Sequence, residues 1–156
     1  MSTLAGAKLD ATDFALPDVV AAHGNGTNTI TSATFAALPT NTVSAAITNP
    51  HPTATMLCLV TYGAWMSASS GDVRYALNVS GSATIAAGIG GGAAIGYGEI
   101  PISSVSASIL GSGSFTVELP ASATAATFTG YAMRTGSGTV VCNYPTVRIV
   151  PLRFLF

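Results

Sequence analysis

Over most of the chain apolar and polar positions alternate with a period of two, which places successive side chains on opposite faces of an extended backbone. In residues 53–68, Met56, Cys58, Val60 and Tyr62 fall on one side and Leu57, Leu59 and Thr61 on the other. Apolar character on both sides predicts a central strand buried on both faces. Gly63 marks a candidate bulge in that strand, just before Ala64, Trp65 and Met66. Ser69, Ser70, Gly71 and Asp72 read as a turn. Val73, Tyr75, Leu77 and Val79 then alternate with Arg74, Ala76 and Asn78, and the two runs together predict a hairpin.

The closing residues 127–156 repeat this pattern. Phe128, Gly130 and Ala132 alternate with Thr127, Thr129, Tyr131 and Met133. Gly136-Ser137-Gly138 supplies two glycines able to take positive φ, so a tight hairpin turn is expected there. Val140, Cys142 and Tyr144 resume the alternation, Pro145 resets it, and residues 147–150 form a last strand carrying Arg148. The chain ends in Leu152-Arg153-Phe154-Leu155-Phe156, apolar surface that needs a sheet or a second copy of the chain to cover it.

Between these runs, residues 27–35 and the alternating Val43, Ala45 and Ile47 read as strands. Asn49-Pro50-His51-Pro52 reads as a stiff turn, because proline fixes φ and restricts the residue before it. Residues 100–110 and 114–119 are further strands, and turn signals recur every 8 to 12 residues or so. The fold expected is all-β, an antiparallel β-sandwich or jelly roll spanning residues 27–156. Residues 1–26 differ. Leu4, Leu9 and Phe14 show helical spacing, Asp10 to Asp13 offer a capping signal, and Pro17 and Gly24-Asn25-Gly26 close a segment expected to be a short irregular attachment arm.

Composition narrows the functional classes. Of 156 residues only 7% are charged, against about 25% in a typical domain. A net charge of −1 removes the electrostatic basis for nucleic-acid binding. Little like-charge repulsion opposes self-association, so assembly with copies of itself is expected. The N-terminal residues lack a basic start followed by an apolar core, so export by a secretory signal is not expected. The uncharged residues between Arg74 and Glu99 are too rich in glycine to span a membrane, and membrane insertion is not expected.

Candidate chemistry is sparse. The two histidines, His23 and His51, lie in the lead-in and between prolines, and no G-x-S-x-G accompanies them, so no serine triad is expected. Asp72, Glu99 and Glu118 are the carboxylates of the β region, each at an expected strand end or turn. The run Gly88-Ile89-Gly90-Gly91-Gly92 fits neither G-x-G-x-x-G nor a P-loop. Cys58 and Cys142, far apart in sequence, read as buried thiols, with pairing left open. No catalytic residue, metal site or cofactor is expected. Trp65 with Tyr62 could stack on a sugar ring, although core packing is the more ordinary use of both. Arg148, pointing away from Val147 and Ile149, is either solvated or an intersubunit contact.

Three stretches carry a family resemblance: LAGAKLDATDF at 4–14, ATFAALPT followed by VSAAITNPHPTATMLCLVTYGAW, and FTVELPASATAATFTGYAMRTGSGTVVCNYPTVRIVPL. Together they resemble the small minor tail and tail-fibre-like virion proteins of tailed bacteriophages of actinobacteria. The resemblance implies a homotrimeric, non-enzymatic structural protein of the virion, made in the host cytoplasm. Its arm, through Leu4, Lys8, Leu9 and Phe14, would attach to other virion proteins. Arg148, Phe154, Leu155 and Phe156 are the expected oligomer interface. Trp65, Asp72 and Tyr97, in or near loops 67–72 and 88–98, are the expected surface-recognition residues toward a host-surface glycan. The chain lacks a collagen-like shaft and heptads, so head decoration and carbohydrate-binding readings stay open beside the tail.

Overall fold

The computed structural model describes residues 15–85, 97–103, 107–122 and 125–156. Among the described residues eleven strands build two antiparallel sheets: β1 (Val20–His23), β2 (Thr27–Thr29), β3 (Ala36–Ala37), β4 (Ser44–Thr48), β5 (Thr55–Ala68), β6 (Asp72–Gly81), β7 (Thr84–Ile85), β8 (Tyr97–Ser103), β9 (Ile109–Leu119), β10 (Ala125–Arg134) and β11 (Val140–Leu155). The first sheet runs β1-β11-β5-β9-β7, with β2 also on β11. The second runs β3-β10-β6-β8, with β4 also on β10. Except from β1 to β2 and from β3 to β4, each strand and the next lie in different sheets, giving the jelly-roll form of the two-sheet sandwich. No helix among the described residues is long and apolar enough to cross a membrane.

Both expected hairpins are corrected by this topology. The residues 53–68 and 72–79 form β5 and β6, and the residues 127–134 and 140–150 lie in β10 and β11, but each pair divides between the two sheets. The turns are where expected, and Gly71 and Gly136 have φ of 74° and 78°. They join strands across the core rather than within a sheet. Arg134 closes the second turn, donating from Nε to the Thr31 carbonyl and from Nη1 to the Gly138 carbonyl.

The inward faces follow the alternation. Met56, Cys58, Val60 and Met66 of β5 meet Tyr75 and Leu77 of β6, Leu119, Phe128 and Ile149, all fully buried. The outward Leu57, Leu59 and Thr61 are only half-buried, so β5 is central but covered on one face, not on both as expected. Tyr62, Tyr75, Phe115 and Phe128 form a chain of tilted and edge-on ring contacts with centroids 5.7 to 6.5 Å apart. Gly130 makes room for it, since a Cβ there would lie 2.7 Å from both the Tyr75 hydroxyl and Val43.

The expected bulge at Gly63 belongs instead to the strand beside it. In β11 the pairing slips between Asn143 and Thr146, leaving Tyr144 and Pro145 opposite the single residue Ala64. Tyr144 takes φ 48° there, and the proline, which cannot donate to a ladder, becomes buried while the strand continues. The slip reverses the parity, so Cys142 faces inward before it and Val147 and Ile149 after it. Residues 140–155 are therefore one long strand rather than two. The first sheet also begins inside the segment expected to be an irregular arm, because Val20–His23 pairs with residues 146–149 of β11.

Candidate assembly face and surface trough

The outer faces of the two sheets differ in kind. On the second sheet, Ser44, Thr48, Thr127, Thr129, Asn78 and the Arg74 cluster point outward. There Arg74 binds Glu99 at 3.0 Å and lies 3.9 Å from Asp72. The large apolar side chains left exposed are on the first sheet and its flanks. Trp65, Ile109, Leu110, Tyr144 and Leu152 are exposed on β5, β9 and β11, Phe156 follows β11, and Leu16 and Val19 precede β1. No exposed large hydrophobic among the described residues belongs to the second sheet.

Cross-strand register orders this face into rows. Asn143, Trp65 and Leu110 lie abreast at one end. Thr146, Gly63 and Ser112 come next, then Arg148, Thr61 and Ser114. Val150, Leu59 and Thr116 follow, and Arg153, Leu57 and Glu118 make the last row. Because Gly63 carries no side chain, the second and third rows sink into an open trough of about 510 Å³, with Thr61, Ser112, Ser114 and Thr146 around it. Gly63 must stay bare, since a Cβ would come within 2.7 Å of the Gly111 carbonyl.

The site residues expected from the sequence are scattered by this arrangement. Trp65 stands on the outer face, 45% exposed, whereas Tyr62 points into the core and donates its hydroxyl to the Gly98 carbonyl. The two cannot form one stacking platform. Asp72 begins β6 on the other sheet, and Tyr97, placed through its backbone opposite Leu77, lies toward the far end of that strand. Trp65, Asp72 and Tyr97 therefore do not meet. Leu4, Lys8, Leu9 and Phe14, with the glycine-rich residues 88–92, lie outside the described residues.

Of the expected interface residues, Arg148 projects from the first sheet between Ala21 and Thr61. Phe154 instead folds back, opposite Met56, onto the edge of the core. Leu155 is half-buried, and Phe156 is 82% exposed. What holds this tail is His51, which the alternation pattern marks only as a loop residue. Its ring packs 4.8 Å from Phe154 and 5.4 Å from Phe156, centroid to centroid. Its Nδ1 accepts the N–H groups of Thr53 and Ala54 at 3.2 and 2.9 Å. Proline on either side of His51 is the available signal, since it makes the loop stiff enough to aim a ring.

Two buried asparagines also leave no mark in the hydrophobic pattern. Asn49 donates to the carbonyls of Ala54, Leu119 and Pro120, each at 2.9 Å, and accepts the His51 N–H at 3.0 Å. Asn28 donates to the Cys142 carbonyl at 3.2 Å and accepts the Thr40 and Asn41 N–H groups. Both are fully buried and tie loops to strand ends.

Cys58 lies opposite Pro151 and Cys142 opposite Met66, too far apart along the sheet for a disulfide. Burial pushes the two thiols up, to about 11 and about 12, which keeps them protonated and unreactive at neutral pH. Burial likewise raises the Tyr75 hydroxyl well above its ordinary value, with the nearby Cys142 and Tyr62 adding to it. Among the described residues no three His, Cys, Asp or Glu side chains gather to hold a metal ion. No family model and no curated protein matches the chain. Among solved structures the chain is similar to the structure of Eiger TNF from S. frugiperda, with 15% identity and a TM-score of 0.40 over 87% of this chain and 94% of that one. At that distance the likeness carries no functional argument.

Proposed function

We propose that the protein is a non-enzymatic structural component of a tailed-bacteriophage virion, self-assembled as a homotrimer and placed as a minor tail or fibre-like protein. The observation that carries this reading is the segregation of every exposed large apolar side chain of the described residues to the first sheet and its flanks. A monomer would leave this face in water, whereas a second copy covers it. The scarcity of charge supports the same reading, because copies of a chain with net charge −1 hardly repel one another. The virion assignment rests on the resemblance of residues 4–14, 33–40, 43–65 and 115–152 to tail proteins. A head decoration protein would use the same face, and copy number per particle separates the two. Light scattering of the purified protein at micromolar concentration, with antibody labelling of purified particles in negative stain, tests the proposal. Expected are an oligomer and label at the tail; a monomer, with unlabelled particles, overturns it.

One specific observation favours a second reading, a carbohydrate-binding surface. The trough offers hydroxyls of Thr61, Ser112, Ser114 and Thr146, with the exposed Trp65 one row away. Aromatic faces suit the apolar faces of sugars. Trp65→Ala separates the readings: lost glycan binding by an unassembled protein favours carbohydrate recognition, and weakened self-association favours assembly.

A further inference from the structure

Eight charged residues lie among those described, and four of them take part in ion pairs or hydrogen bonds within the chain. Arg74 pairs with Glu99 and Asp72, and Arg134 is held by two backbone carbonyls. The other four, Asp18, Glu118, Arg148 and Arg153, make no ion pair or side-chain hydrogen bond among the described residues. All four belong to the first sheet or to the segment entering it, and their charges sum to zero. In a chain with so few charges, a neutral set of charges left unpaired among the described residues and gathered on one face suits an equally equipped surface.

Their placement is lopsided. The two arginines stand on β11, while Glu118 stands on β9, on the far side of β5. Arg153, Leu57 and Glu118 share one row, which sets the arginine and glutamate backbones about 9.5 Å apart, two strand spacings. Both flanks are open in part, and on the β11 flank residues 150–155 have no outer partner among the described residues. Among the described residues β7 covers β9 only at Val117 and Glu118, leaving residues 109–116 as an unpaired edge with Ile109 and Leu110 exposed.

We propose that this face docks a second copy of the chain with the β11 half of one copy over the β9 half of the other, so that Arg153 of one meets Glu118 of the next across the buried Leu57 row. This deepens, and rests on, the self-assembly reading above. In a closed ring of three copies the contact forms once per interface, each copy giving Arg153 to one neighbour and Glu118 to the other. Leu57, Leu59 and Val150 become the dry centre and the ion pair lies at its margin, where opposite charges set register and like charges prevent docking.

The test uses the full chain with Arg153→Glu and Glu118→Arg, made singly and then mixed, with sedimentation equilibrium as the readout and a far-UV melt to confirm folding. Each single variant brings like charges together between copies and is expected to weaken self-association by about tenfold or more, roughly 1.4 kcal/mol per contact. Mixing the two single variants is expected to restore association beyond that of either alone. A copy carrying Arg153→Glu then meets a copy carrying Glu118→Arg with opposite charges across the interface. An interaction confined within one chain would not respond to mixing. Wild-type association in both single variants, or no gain on mixing, overturns the pairing while leaving self-assembly standing. A monomeric wild-type protein removes both.

Discussion

Asn49→Ala should be among the most destabilising single changes outside the apolar core. The amide has two hydrogens for three carbonyls, those of Ala54, Leu119 and Pro120 at 2.9 Å, and its oxygen holds the His51 N–H. Alanine removes all four contacts at a site with 0% exposure. Each buried polar group left without a partner costs about 1–3 kcal/mol, so two such orphans amount to about 2–6 kcal/mol. Against a total stability on the order of 5–15 kcal/mol this is a large fraction. At about 2–4 °C per kcal/mol for a domain of this size, the melting temperature should fall by about 4–24 °C. Because Asn49 also positions His51, the variant should loosen Phe154 and Phe156 from their ring contacts, read as faster amide exchange at the C-terminus. Melts are compared at fixed protein concentration, since assembly adds a concentration-dependent term. Ser44→Ala, which removes an exposed hydroxyl pair with Thr129, is the control and should shift stability by about 0.5 kcal/mol or less. A melting temperature for Asn49→Ala within about 2 °C of wild type would refute the reasoning.

Tyr75→Phe should cost nothing, or stabilise by up to about 1 kcal/mol, because the buried hydroxyl has no hydrogen-bond partner among the described residues; a loss above that in a urea melt would show that the hydroxyl is bonded. Gly130→Ala should destabilise by about 1–3 kcal/mol through overpacking against that hydroxyl and Val43, and a double variant with Tyr75→Phe should recover part of the loss, measured as a coupling energy. Stability should fall at alkaline pH: unfolded thiols ionise around 9.0 whereas Cys58 and Cys142 hold their protons to about 11 and about 12. Their contribution is therefore complete below the unfolded value and is lost above it, at no more than about 1.4 kcal/mol per pH unit per thiol until the folded value is passed. Urea midpoints across this range should show a shallower slope for Cys142→Ala. His51→Ala should cost about 1–2 kcal/mol and expose the tail to carboxypeptidase; unchanged digestion would show that the ring does not hold it.

The period-two pattern marks residues 53–68, 73–79, 127–133, 140–144 and 147–150 as extended, and these lie in β5, β6, β10 and β11, but it predicts both faces of β5 buried and puts Tyr144 inward, where the structure buries one face and turns Tyr144 out. Burial of one face is enforced residue by residue, so the alternation Met56, Cys58, Val60 is written directly into the chain. The turn at Gly136 is equally legible, because positive φ selects glycine locally. What the pattern leaves open is the partner of each strand. In a sandwich the inner faces of both sheets meet the same core, so two consecutive strands show the same alternation whether they pair with each other or cross between sheets. That β5 and β6, and β10 and β11, part company at their turns is settled by three-dimensional packing. The same holds for the outer faces. A half-buried Leu57 and a fully buried one look alike in sequence, and it takes the register of β11, β5 and β9 to place Arg153, Leu57 and Glu118 in one row. His51 and Asn49 are illegible for a related reason. Their partners are rings at the C-terminus and carbonyls 70 and 71 residues along the chain, brought near only when the sandwich closes.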